Sequence, residues 1–207
     1  NLGSLVDELR PYSVDADRIT LYDRYLLQFD LDIFDVGKAR HCRKTLRKLV
    51  TLFRGLVCDE TEPPEEIHII TNLVNSYRLD RDSERDLDWL TSSEYKSLCY
   101  QILNETITGL RNVYPALNST HFTIFDCSEA SRKGGLAHDR FITFNAVPLI
   151  SSAGFCFNLS KLDFDNSDWG DENASRENIS IDPTVIFPVN IVLKLPRKHN
   201  KFDIART

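Results

Sequence analysis

A chain of 207 residues, 42% of them hydrophobic, can build one well-formed core and falls short of two. Its net charge of −6 argues against a non-specific nucleic-acid coat, and no uninterrupted apolar run of about 18 residues offers a membrane span. Five cysteines, odd in number and without a C-x-x-C pair, argue against a disulfide framework or zinc site and fit reduced thiols in a cytoplasmic protein.

Residues 1–17 read as a helical remnant of a longer chain, stopped at Pro11; no methionine occurs, not even at position 1. Residues 18–207 form the predicted domain. Arg18 to Phe29 is rich in β-branched and aromatic residues and predicts the first strand. Lys38 to Leu56 has apolar residues at helix spacing and predicts an amphipathic helix. Its polar face carries Arg40, Arg43, Lys44, Arg47 and Lys48, and the run from Lys38 to Arg54 holds seven Lys/Arg and no acid. Such a face is either ordinary solvated surface or an electrostatic surface for phosphates, and both readings stay open.

Glu66 to Thr71 predicts the second strand, with His68 expected as a packed core histidine. Thr91 and Glu94 suggest a capping box ahead of a long helix running to about Asn112. His121 to Asp126 predicts a third strand, followed by a loop with Arg132, Lys133 and two glycines where amides and cations could meet an anion. Two more strands, 136–145 and 149–159, are expected either side of Pro148 as a break. Residues 160–183 read as an acidic surface loop. Thr184 to Leu195 predicts a last strand, placed at an edge by Pro188, and a basic tail follows. Five Asn-x-Ser/Thr triplets are taken as coincidental, one of them lying at Asn104 inside a predicted helix. The order implies an α/β fold: a mixed β-sheet flanked by helices that cover both faces.

The stretch 136–154, LAHDRFITFNAVPLISSAG, carries the densest chemistry. On a strand, His138 and Arg140 project from one face, a histidine beside a fixed cation, with Asn145 and Ser152 following. No two of the five histidines share ligand spacing, so no metal is expected.

The spacing His138-x-Arg140-x4-Asn145-x6-Ser152 resembles the phospholipase D signature His-x-Lys-x4-Asp-x6-Gly-Ser/Asn, which defines one half-domain of that superfamily. Arg140 stands in the lysine position, Asn145 in the aspartate position, and Gly154 is displaced from the Gly-Ser corner. His-Asp-Arg before an apolar strand is more similar to a diverged branch, the phospholipase D-like C-terminal domain of MIT-domain proteins and similar bacterial domains.

The resemblance implies a phospholipase D-like half-domain without cofactor, serving recognition rather than hydrolysis. Its ligand would be nucleic acid, another phosphodiester such as an anionic headgroup, or a protein partner. In a bacterium it would imply nucleic-acid handling in a defence system. Binding would fall to Lys133, His138 and Arg140, with Arg43, Lys44, Arg47 and Lys48 from the basic helix. If the domain is active, His138 attacks phosphorus, Arg140 neutralises the phosphate, Asn145 and Ser152 complete the set, and a homodimer supplies the second histidine. A nuclease of that kind and a pure protein-interaction domain with a degenerate site are the rival readings. Tyr22-Asp23-Arg24-Tyr25 echoes His138-Asp139-Arg140-Phe141, with tyrosine in the histidine position.

Overall fold

A computed structural model describes residues 11–29, 38–56, 62–75, 87–131, 140–145, 147–151, 186–188 and 195–207. Seven strands join in one mixed sheet: β1 (Arg18–Tyr22), β2 (Glu66–Thr71), β3 (His121–Asp126), β4 (Arg140–Phe144), β5 (Val147–Ser151), β6 (Ile186–Pro188) and β7 (Asn200–Ile204). Their spatial order is β6-β5-β4-β1-β2-β3-β7. β1, β2 and β3 run parallel; β4 returns antiparallel to β1, and β7 antiparallel to β3.

Two long helices make the parallel crossovers, α1 (Lys38–Leu56) between β1 and β2 and α2 (Ser93–Val113) between β2 and β3. A short helix, α3 (Ser128–Ser131), follows β3. Successive crossovers that step in one direction across a sheet, each right-handed, put their helices on the same face. Accordingly Leu49, Leu52, Phe53 and Leu56 of α1 and Ile102, Leu103, Ile107 and Leu110 of α2 share one core with Ile19, Leu21, Ile67, Ile69, Phe122 and Ile124. The helices approach closely at Gly109, where an added Cβ would lie 2.8 Å from a Leu46 methyl. The Tyr114 hydroxyl ties them further by donating to the Val50 carbonyl at 2.8 Å.

The expected α/β class with a mixed sheet and packed helices is present. Against the expectation of helices on both faces, both long helices among the described residues lie on one. The opposite face carries Arg18, Thr20 and Tyr22 of β1, Glu66, His68 and Ile70 of β2, and His121, Thr123 and Phe125 of β3, as period-2 alternation requires.

Local boundaries also moved for physical reasons. The first strand stops at Tyr22 because the Asp23 carboxylate accepts from the Tyr25 amide at 2.8 Å and turns the chain. Thr91 closes a 3₁₀ turn (Leu87–Thr91) and bonds the Asp88 carbonyl, so the α2 cap is Ser92, which accepts from Tyr95 N. Pro148 is no break: it sits within β5 opposite Thr143, and the turn comes at Asn145, whose φ is 53°. The edge position expected from Pro188 holds, since β6 is the outermost strand on that side. The basic tail is not a tail, because Phe202 and Ile204 alternate with Lys201 and Asp203 to make β7. That strand is anchored by Arg111, which donates to the Thr120 and Ala205 carbonyls at 2.9 and 2.8 Å and lies over the Phe122 ring.

Candidate phosphodiester site at the carboxyl end of β1

In open α/β sheets ligands bind outside the carboxyl ends of the parallel strands, where the loops gather. Here β1 leads into the Asp23 turn, with Asp23 N bonded to the Ile70 carbonyl and Asn72 N to the Arg24 carbonyl. The turn lifts Arg24 and Tyr25 to half-exposed positions, and the Arg24 guanidinium lies 5.5 Å from the centre of the Tyr25 ring. The Tyr25 carbonyl accepts from the Lys48 ammonium at 3.4 Å, a long bond that brings the basic face of α1 against this turn. Arg43 is exposed and Arg47 half-buried on the same helix, and positions 43 and 47, like 44 and 48, lie one turn apart. The Lys44 side chain lies outside the described residues.

β4 begins at the same end. Tyr22, the last residue of β1, pairs with Phe141, and their rings meet edge to face at 5.9 Å. Tyr22, the first residue of one echoing segment, therefore abuts Phe141, the last of the other, and Arg140 enters the sheet next to the Asp23 turn. The Arg140 side chain lies outside the described residues, as do Lys133, His138 and Ser152.

Asn145 is described fully. It ends β4 in the left-handed region, accepts from Arg18 N through Oδ1 at 3.0 Å and donates from Nδ2 to the Asp15 carbonyl at 3.1 Å. Both halves of its amide are committed to backbone, at the end of β4 opposite from Arg140.

Carboxylates and thiols at the carboxyl edge serve structure. Asp126 is buried and accepts from Leu73 N, Ser128 N and the Ser128 hydroxyl on one oxygen, and from the Tyr95 hydroxyl (2.7 Å) and Asn200 on the other. Burial and the Asp126 charge raise the Cys127 thiol to about 12 and push the buried Cys99 thiol further, so neither is a nucleophile at neutral pH. Among the described residues no group of three or more His, Cys, Asp or Glu could hold a metal ion, and no helix is long and apolar enough to cross a membrane.

What sequence reasoning missed lies on the other face. His68 is not a core residue: it stands half-exposed, its Nε2 3.6 Å from Glu66 and its ring edge-on to Phe125 at 5.7 Å. His121 approaches Asp203 at 3.5 Å, and His199 also meets the Phe125 ring, at 5.6 Å. The signal available was parity: residues 66 and 68, and 121, 123 and 125, alternate with Ile67, Ile69, Phe122 and Ile124, which face the helices. Comparison of the chain with protein-family models, curated proteins and solved structures finds no match.

Proposed function

We infer that this domain recognises phosphodiesters, with nucleic acid as the ligand class, in the manner that its resemblance to phospholipase D-like half-domains implies. One observation carries the reading: the Lys48–Tyr25 contact joins the basic face of α1 to the turn after β1, where Arg140 also enters the sheet. Cations separated by some ninety positions in sequence thus share one edge, and fixed guanidinium and ammonium groups there would neutralise successive phosphates. His138 and Lys133 are assigned to the same site by the resemblance.

Recognition is favoured over hydrolysis by Asn145. The position that aligns with the family's aspartate is occupied by an amide whose two polar atoms hold the backbone of Arg18 and Asp15. A nucleophilic imidazole needs an orienting carboxylate, and none comes from that position.

Anisotropy titration of a labelled oligonucleotide at several salt concentrations tests the reading. Replacing Arg43, Arg47 and Lys48 by Gln should weaken binding about tenfold or more and flatten the salt dependence by about one unit of slope per lost contact. Arg140→Gln should weaken it as well. Unchanged binding and slope in both variants would overturn the proposal. Plasmid incubated in EDTA should stay intact; cleavage that vanishes in His138→Ala would make the domain a nuclease instead.

A further inference from the structure

Three of the five histidines, far apart in sequence, lie toward the sheet face opposite α1 and α2. His199 and His68 both meet the Phe125 ring, at 5.6 and 5.7 Å. His121 stands next along β3, one register step from His68, since Glu66 pairs with His121 and His68 with Thr123. Side chains of His68 and His121 are 25% and 33% exposed, enough to meet a ligand. Phe125 between them is half-exposed.

Two carboxylates beside this strip are paired with fixed cations. Glu66 is held by Arg18 at 2.6 Å, and Asp203 by Lys201 at 2.9 Å and the Thr123 hydroxyl at 3.0 Å. Arg18 and Lys201 thus each pair with one of these carboxylates. Protonation of the three rings adds three positive charges, and imidazole is the side chain that changes charge in the mildly acidic range. The histidine Nδ1 of residue 199 lies 2.8 Å from the Pro196 carbonyl, which orients the ring as a donor at that nitrogen.

The geometry points to a second site: a proton-gated strip on the sheet face opposite α1 and α2 that takes a single-stranded phosphodiester chain when His68, His121 and His199 are protonated. An extended row of cations suits a repeating anion, and the half-exposed Phe125 offers a base an apolar contact. The groups facing the gate are Arg18 from β1, Glu66 within β2, His121 and Phe125 from β3, and Lys201 and Asp203 from β7. Burial, then the Arg18 charge, hold His68 below the ordinary histidine range, so its ring is neutral at neutral pH. A bound polyanion must in turn draw the His68 titration upward, because linkage is reciprocal.

The test uses rhodamine-labelled oligothymidylate, whose phosphodiesters keep one charge each and whose bases stay neutral through this range. At constant ionic strength, affinity should rise about tenfold between about pH 7.5 and about pH 5.5. A variant carrying His68→Gln, His121→Gln and His199→Gln should lose that rise while keeping the affinity seen at the higher pH. If the triple variant does not fold, His121→Gln and His199→Gln singly should each remove part of the rise. Ring NMR of His68 should show its titration midpoint moving up on addition of the oligonucleotide. An undiminished rise in the histidine variants, or a His68 midpoint that does not move, overturns the strip. Glutamines at Arg43, Arg47 and Lys48 should lower affinity by one factor at both pH values. Binding that survives those changes and depends on the histidines would retain the strip and reject the α1 site.

Discussion

The Tyr95 hydroxyl donates to Asp126 Oδ2 at 2.7 Å across the interior, joining the first turn of α2 to the last residue of β3. Both residues are fully buried, and the same carboxylate also holds Leu73 N after β2 and Asn200 at the start of β7. Burial and the neighbouring carboxylate push the phenol ionisation well up, so it remains a donor at all working pH. Tyr95→Phe should cost about 2 kcal/mol, the loss of one buried bond to a charged acceptor. Asp126→Ala should cost about 4 kcal/mol or more by stranding several donors at once. Urea denaturation measures both, and equal small losses would show that the carboxylate is not the junction described.

Asn145 tests conformation and chemistry together. Asn145→Ala loses two backbone partners and forces alanine to φ 53°, so about 2 kcal/mol should be lost. Asn145→Gly, free of the conformational penalty, should lose less. Asn145→Asp restores the residue type of the phospholipase D signature, yet it should produce no hydrolysis of bis(4-nitrophenyl) phosphate. Turnover in that variant would reverse the preference for recognition.

The contact between α1 and α2 is limited by Gly109. A valine there would drive its branches into Leu46, which an added Cβ already meets at 2.8 Å, and overpacking of this kind costs about 1–3 kcal/mol. Alanine should cost less, because the Leu46 methyls can swing aside and alanine favours the helix by about 1 kcal/mol. Thermal melts of the two variants should rank them in that order.

Stability should fall on acidification, and the sign follows from three groups. His68 is held below the ordinary histidine value by burial, then by Arg18. The Arg18 bond keeps Glu66 low, and Asp203, despite partial burial that opposes it, is kept low by Lys201 and Thr123. In each case the unfolded chain binds protons that the folded chain refuses, so stability is fully present above the unfolded value and declines below it. The His68 part is lost first, below about pH 6.5, and the carboxylate part below about pH 4.5. His68→Gln should flatten the upper part of the stability profile and leave the lower part in place. All three groups are partly exposed, and solvent screening keeps each contribution small.

Much of the fold was legible because its pattern is local. Ile19, Leu21, Ile67, Ile69, Phe122 and Ile124 alternate with polar residues, and the apolar stripes of α1 and α2 recur at helix spacing. Sidedness was not legible: which face the helices cover depends on crossover direction, and that emerges only when β1, β2 and β3 are placed side by side. β7 escaped because five residues with two apolar positions look like any charged terminus until β3 supplies a partner. The same blindness hid the histidines, which converge only through strand register. Basic residues on α1 were found by composition, whereas their approach to the Asp23 turn needed the Lys48–Tyr25 contact.

The pairing of β3 with β7 has a consequence for the order of folding. Thr123 and Asp203 are 80 positions apart, yet they meet through a hydrogen bond. A hairpin closes within microseconds, but a ladder between such distant segments waits on a large loop entropy and forms late. Until it does, β3 presents an unpaired edge bearing Phe122 and Ile124, a template on which another chain could add a strand. Lys201 and Asp203 bring their charges to that edge in the same step that covers it, so β7 protects the nascent sheet from its neighbours as well as completing it.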